Sequence, residues 1–85
     1  MEDFKIRKLE ILKNKGRIFR HFKGKYYLLI DFAIHTETRE TLVIYKALYG
    51  DCGIYARPLD MFISEVDNEK YPEVKEKWRF NLVEN

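Results

Sequence analysis

A nine-residue stretch, Tyr26 to Ile34, limits what this chain can fold into. On an extended strand Tyr26, Leu28, Ile30, Phe32 and Ile34 fall on one side, and Tyr27, Leu29, Asp31, Ala33 and His35 on the other, which is mixed. Thr36 to Arg39 turns the chain, and Glu40 to Leu48 returns with Leu42, Ile44 and Leu48 alternating against Thr41, Val43, Tyr45 and Ala47. Both strands are apolar on one face and partly apolar on the other, as expected where a sheet bends round a core. Shorter strands flank them. Ile18 to Phe22 ends at the turn Lys23-Gly24-Lys25, Gly50-Asp51-Cys52-Gly53 turns into Ile54 to Arg57, and Trp78, Phe80 and Leu82 alternate in a closing strand. Pro58 is well placed to open one helical turn through Leu59, Asp60, Met61 and Phe62. Residues 64–77 are polar and are broken by Tyr71-Pro72. Antiparallel strands joined by short turns predict a mainly β fold, a small barrel of five or six strands.

Residues 2–13 supply the one long helix. Phe4, Lys8 and Ile11 or Leu12 fall near helical spacing with Leu9 beside them, while Ile6 sits off that stripe. Glu2 and Asp3 suit a helix N-terminus, and Asn14-Lys15-Gly16 a stop. The expected organisation is therefore a helical extension over 1–14 and a single β-barrel domain over 15–85. A chain of 85 residues, 46% hydrophobic and 15% aromatic, is one domain with enough apolar mass for a core. No stretch approaches the ~20 apolar residues of a membrane span, and residues 1–15 lack the apolar centre of a signal peptide. The single cysteine, Cys52, excludes a disulfide within the chain. These features predict a cytoplasmic protein.

Four blocks occur in order: Arg20-His21-Phe22-Lys23-Gly24-Lys25-Tyr26-Tyr27, His35-Thr36-Glu37-Thr38, Val43-Ile44-Tyr45-Lys46-Ala47-Leu48-Tyr49-Gly50 and Arg57-Pro58-Leu59-Asp60-Met61-Phe62. In this the chain resembles the bacterial family known as domain of unknown function 1653, over roughly residues 17–66 and, more loosely, the last strand. The resemblance implies a barrel of the SH3-like type and implies no activity. The chain departs from the family pattern twice: Arg39 follows Thr38 where Gly is common, and Tyr55 stands where Trp is usual. A non-glycine residue at positive φ after Thr38 would cost on the order of 1 kcal/mol. Ala47-Leu48-Tyr49-Gly50-Asp51 shares letters with the opening signature of eukaryotic SH3 domains. It ends the third strand here, with no tandem Trp after it, so proline-rich peptide binding does not follow.

Chemistry is scarce. Cys52 lies in a turn, Ser64 has no nucleophile elbow, and nothing in the spacing brings His21 and His35 together. His21, His35, Cys52 and Asp51 lack the close pairing of a zinc site, and Gly50 to Gly53 lacks the Lys and Ser/Thr of a phosphate loop. No metal or cofactor is expected, and no catalytic residue is assigned.

Two clusters remain. Tyr45, Tyr49, Tyr55 and Arg57, with His35, form a ligand-binding candidate. If strands three and four pair, Tyr49 and Tyr55 lie close at the base of their turn and Arg57 points toward Tyr45. Phenols and a guanidinium can grip an anionic or aromatic small molecule, or anchor a protein segment. The second cluster is the basic, aromatic stretch Arg17, Arg20, His21, Lys23, Lys25 and Tyr27, which suits single-stranded nucleic acid such as RNA. Residues 1–26 carry a balance of +6 and the remainder −4, so the total of +2 is modest for a nucleic-acid binder. The expected function is a non-catalytic cytosolic binding module. Nucleic-acid binding is the alternative, and a small enzyme with a histidine base a third. Self-association through the N-terminal helix is a further expectation.

Overall fold

A computed structural model describes residues 2–84, with side chains from residue 5 onward. The elements are α1 (Glu2–Leu12), β1 (Ile18–His21), β2 (Tyr26–Ile34), β3 (Thr41–Ala47), β4 (Ile54–Pro58), α2 (Leu59–Phe62) and β5 (Phe80–Leu82). The strands form one antiparallel sheet in the order β4-β3-β2-β1-β5. The sheet is not closed: its edge strands, β4 and β5, are not hydrogen-bonded to each other, so the fold is mainly β with five strands in an open sheet. Between those edges lies a side-chain core. Phe62 of α2 stacks on Phe80 of β5, with ring centroids 4.1 Å apart, and contacts Tyr45 of β3 and Phe19 of β1.

The core face corrects the strand reading. Leu29 pairs with Tyr45 and Asp31 with Ile44, leaving Ile30 as an extra residue in β2. A bulge of one residue inverts the alternation beyond it. The face Tyr26, Leu28, Ile30, Phe32, Ile34 is therefore not continuous. Leu29 is fully buried, with Tyr27 packed against the core, and after the bulge Phe32 joins them. In β3 the inward residues are Val43, Tyr45 and Ala47 rather than Leu42 and Ile44.

Helix α1 turns Arg7 and Ile11 inward, one helical turn apart, while Lys8, Ile6, Leu9 and Leu12 are exposed. The inward stripe is thus rotated from the expected one, and the side chain of Phe4 lies outside the described residues. Ile11 enters the core, and the Arg7 guanidinium donates to the Phe80 carbonyl and lies over Trp78. Arg39 adopts φ 68°, the left-handed conformation for which glycine is the low-cost residue.

Trp78 does not enter the last strand. It bridges to Glu65, and the amides of Val66 and Arg79 donate to the carbonyls of Lys77 and Ser64. This clasp makes residues 67–76 a loop.

A cationic cleft as candidate functional site

The clasped loop leans on the β1–β2 turn. Tyr71 meets Phe22 edge-on at 5.0 Å between ring centroids, and the Lys23 ammonium lies 5.1 Å from the centre of the Tyr71 ring. Between this contact and the end of the sheet opens a cleft of about 580 Å³. Its walls come from four segments distant in sequence: His21, Phe22, Lys23, Lys25 and Tyr27; Tyr49 and Arg57; Asp67, Lys70 and Tyr71; and Arg79.

Each position has a local cause. Gly24 at φ 101° closes a tight turn that sends Lys23 and Lys25 to the same opening. His21 and Phe80 are cross-strand neighbours, as are Tyr27 and Ala47, which turns His21 and Tyr27 toward the core side. Arg57 lies opposite the buried Val43, so its guanidinium is directed inward and sits 5.8 Å from the Phe80 ring centre. Arg79 is fixed by its backbone: its amide donates to Ser64 and its carbonyl accepts from Phe22.

The electrostatics are one-sided. Lys23, Lys25, Arg57, Lys70 and Arg79 face the cleft with one carboxylate, Asp67. That carboxylate already accepts the amides of Glu69 and Lys70 within its own turn. The described ion pairs are Lys15–Asp31 and Arg20–Glu76, neither of which involves a cleft residue. The Arg79 Nε is buried without a hydrogen-bond partner.

His21 responds to this setting. Burial, then the positive charges of Arg57, Lys23 and Arg79, push its imidazole down to about 4, so it is neutral near pH 7. Its Nδ1 accepts the Lys23 amide at 3.2 Å, which assigns the remaining proton to Nε2. The ring can donate a hydrogen bond, and its lone pair is engaged. Tyr27 and Tyr49 share a hydrogen bond at 2.9 Å. Burial and that bond raise the Tyr27 phenol, which stays protonated. A hydrogen bond from Lys23 lowers the half-buried Tyr71 phenol from its ordinary value.

The anticipated site residues divide. Tyr49 and Arg57 reach the cleft, but Tyr45 is buried beneath it. Tyr55 pairs directly with Tyr45, not Tyr49, at 5.9 Å between ring centroids. Tyr49 instead meets Tyr27, because Leu48 bonds back to Tyr26 and carries the chain across β2. His35 lies at the other end of β2, where its Nδ1 accepts the amides of Glu37 and Thr38. The basic segment is split as well. His21, Lys23, Lys25 and Tyr27 face the cleft, whereas Arg20 pairs with Tyr26 and Asn81 on the opposite sheet face and binds Glu76 at 3.3 Å. Arg17 lies near Ile18 and Val83, away from the cleft.

Asp67, Lys70, Tyr71 and Arg79 were missed. The sequence signals for them are Lys70-Tyr71 and Trp78-Arg79-Phe80, which repeat the cation-and-ring pairing of Lys25-Tyr26. Among the described residues no cluster of three or more His, Cys, Asp or Glu could hold a metal ion, and no helix is long and apolar enough to cross a membrane.

The family described as protein of unknown function DUF1653 matches residues 17–82. The chain belongs to this family. A crystal structure of a DUF1653 protein from Bordetella bronchiseptica is similar, with TM-score 0.69 and 29% identity over 85% of this chain and 91% of that one. Comparison with curated proteins returns no match. The DUF1653 match begins at Arg17, so α1, which supplies Ile11 to the core, lies before it.

Proposed function

We propose that this DUF1653 protein is a non-catalytic binding module whose ligand is a small anionic molecule seated in the cationic cleft. The observation that carries the reading is a surplus of positive charge with no internal partner. Arg57 and Arg79 converge on one cleft, no described carboxylate pairs with either, and the Arg79 Nε is buried and unbonded. A bound anion in the cleft supplies the charge partner that the chain itself gives to neither Arg57 nor Arg79. Guanidinium forks match the paired oxygens of carboxylate and phosphate.

Two features support a binding role over catalysis. The lone pair of His21 is held by the Lys23 amide, which leaves the ring without a free acceptor for a substrate proton. Cys52 and Ser64 do not line the cleft, so neither the thiol nor the serine hydroxyl faces it. A nucleic-acid strand has weaker support, because Arg17 and Arg20 stand away from the cleft and Arg20 is neutralised by Glu76. As part of the same reading the module works in the cytosol, a reducing compartment in which an exposed thiol such as Cys52 stays free. The open sheet is read as an SH3-like barrel left unclosed, supported by one core to which β1, β2, β3, β5, α1 and α2 all contribute.

The test is an amide NMR titration with phosphate and with citrate at matched ionic strength. Saturable shifts at Lys23, Arg57, Tyr71 and Arg79, lost in Arg57→Gln with the fold intact, are expected. Shifts of equal size at Lys46, on the opposite sheet face, would mean general ionic screening and would overturn the reading.

A further inference from the structure

Resting on that reading, we infer that the anion is a phosphate monoester of a molecule that also bears a planar aromatic ring, with the size and chemistry of a nucleoside monophosphate. Three observations converge on it. The first is charge. Five cations face one carboxylate that its own turn already engages, and His21 is neutral, so a monocarboxylate would leave most of the positive potential unanswered. A phosphate monoester brings nearly two negative charges at neutral pH and three acceptor oxygens.

The second is polarity of a different kind. Apart from the Asp67 carboxylate, whose Oδ1 accepts two amides of its own turn, the groups that line the cleft are donors: the two guanidiniums, the lysine ammoniums, the Nε2–H of His21, the Tyr71 phenol, and one phenol proton of the Tyr27–Tyr49 pair, whose other proton makes their shared bond. A site made of donors suits a group made of acceptors. The third is room. A cleft of about 580 Å³ greatly exceeds a tetrahedral ion of five heavy atoms and falls among pockets for small organic ligands. Two pairs of rings wall it, Phe22 with Tyr71 and Tyr27 with Tyr49. A lysine ammonium stands near one ring of each pair: Lys23 at Tyr71, and Lys25 at 5.0 Å from Tyr49. Rings interleaved with cations, here with ammoniums over the faces of Tyr71 and Tyr49, are the surroundings in which phosphate and base are held together.

Free mononucleotide and the phosphorylated end of a single strand share this chemistry, and the test separates them. Isothermal titration of the full chain uses adenosine monophosphate, adenosine, inorganic phosphate, citrate, and a short oligonucleotide with and without a 5′-phosphate. The inference expects adenosine monophosphate to bind at least tenfold more tightly than adenosine, phosphate or citrate. Arg79→Gln should cost that advantage, while Arg20→Gln, on the other face of the sheet, leaves it unchanged. Oligonucleotide binding that needs the 5′-phosphate and matches the mononucleotide supports the shared chemistry and identifies a strand end as its source. Phosphate or citrate binding as tightly as the mononucleotide overturns the inference and leaves the anion site standing. Oligonucleotide binding that ignores the terminal phosphate overturns it in favour of a strand running across the surface. No binding by any probe overturns the anion site itself.

Discussion

Acidification tests the electrostatics of the cleft through a single proton. His21 titrates at about 4 in the folded chain, against about 6.5 when exposed. Between those values the unfolded chain holds a proton that the folded chain does not, so stability falls as pH drops from about 6.5 to about 4 and levels off below. Taken whole, that gap corresponds to about 3 kcal/mol. The ring opens onto the cleft, where water screens Arg57, Lys23 and Arg79, so roughly 1–2 kcal/mol is the expected loss. The assay is urea denaturation at pH 7, 5.5 and 4, for the native chain and for His21→Gln. Asp31 and Glu76 also have lowered carboxyl values and contribute to acid loss in both proteins, so the difference between the two curves isolates the histidine. Proton NMR reads the group directly, because His35 is the chain's other imidazole. A His21 midpoint at 6 or above would refute the argument, since it would mean that neither burial nor the three cations act on the ring. Added phosphate should raise the midpoint, because an anion offsets the charges that depress it.

Further predictions follow from the core, the turns and the helix. Phe62→Ala removes the ring that packs on Phe19, Tyr45 and Phe80 and should cost ~3–5 kcal/mol; a loss below 1 kcal/mol would mean that the core collapses around the gap. Arg39→Gly relieves a left-handed residue but frees the unfolded chain, so a gain of up to about 1 kcal/mol in denaturant stability is expected. Destabilisation would show instead that the Arg39 side chain anchors its turn. Self-association through α1 would use the exposed Ile6, Leu9 and Leu12. Leu9→Lys should then yield monomers in sedimentation with stability within ~0.5 kcal/mol of the parent, and an unchanged mass would dismiss that route.

Much of the secondary structure was legible because its causes are local. The period-two runs placed β2 and β3, and Gly24 and the Gly50–Gly53 segment placed turns; Pro58 marked the junction before α2, though it ends β4 and the helix opens one residue later, at Leu59. The faces of β2 were not legible. A bulge at Ile30 depends on how β3 hydrogen-bonds beside it, and nothing in the letters YYLLIDFAI marks the extra residue. The stripe on α1 failed for a related reason. Arg7 points inward because its guanidinium finds the Phe80 carbonyl and the Trp78 ring, partners more than seventy residues away.

The candidate site divides along the same line. That a basic, ring-rich turn occupies Arg20–Tyr27 and that Arg57 shares a strand with Tyr55 are matters of neighbouring letters, and both were legible in the sequence. That these belong to one place follows from packing between distant segments. The clasp between residues 64–66 and 77–79 carries Lys70, Tyr71 and Arg79 back to the turn, while the pleat of β1 sends Arg20 to the opposite face from His21. Charge sums over the chain conceal this. A balance of +2 spread over 85 residues looks unremarkable, but five cations facing one occupied carboxylate make a local field, because electrostatic interaction falls with distance and is indifferent to position in the sequence.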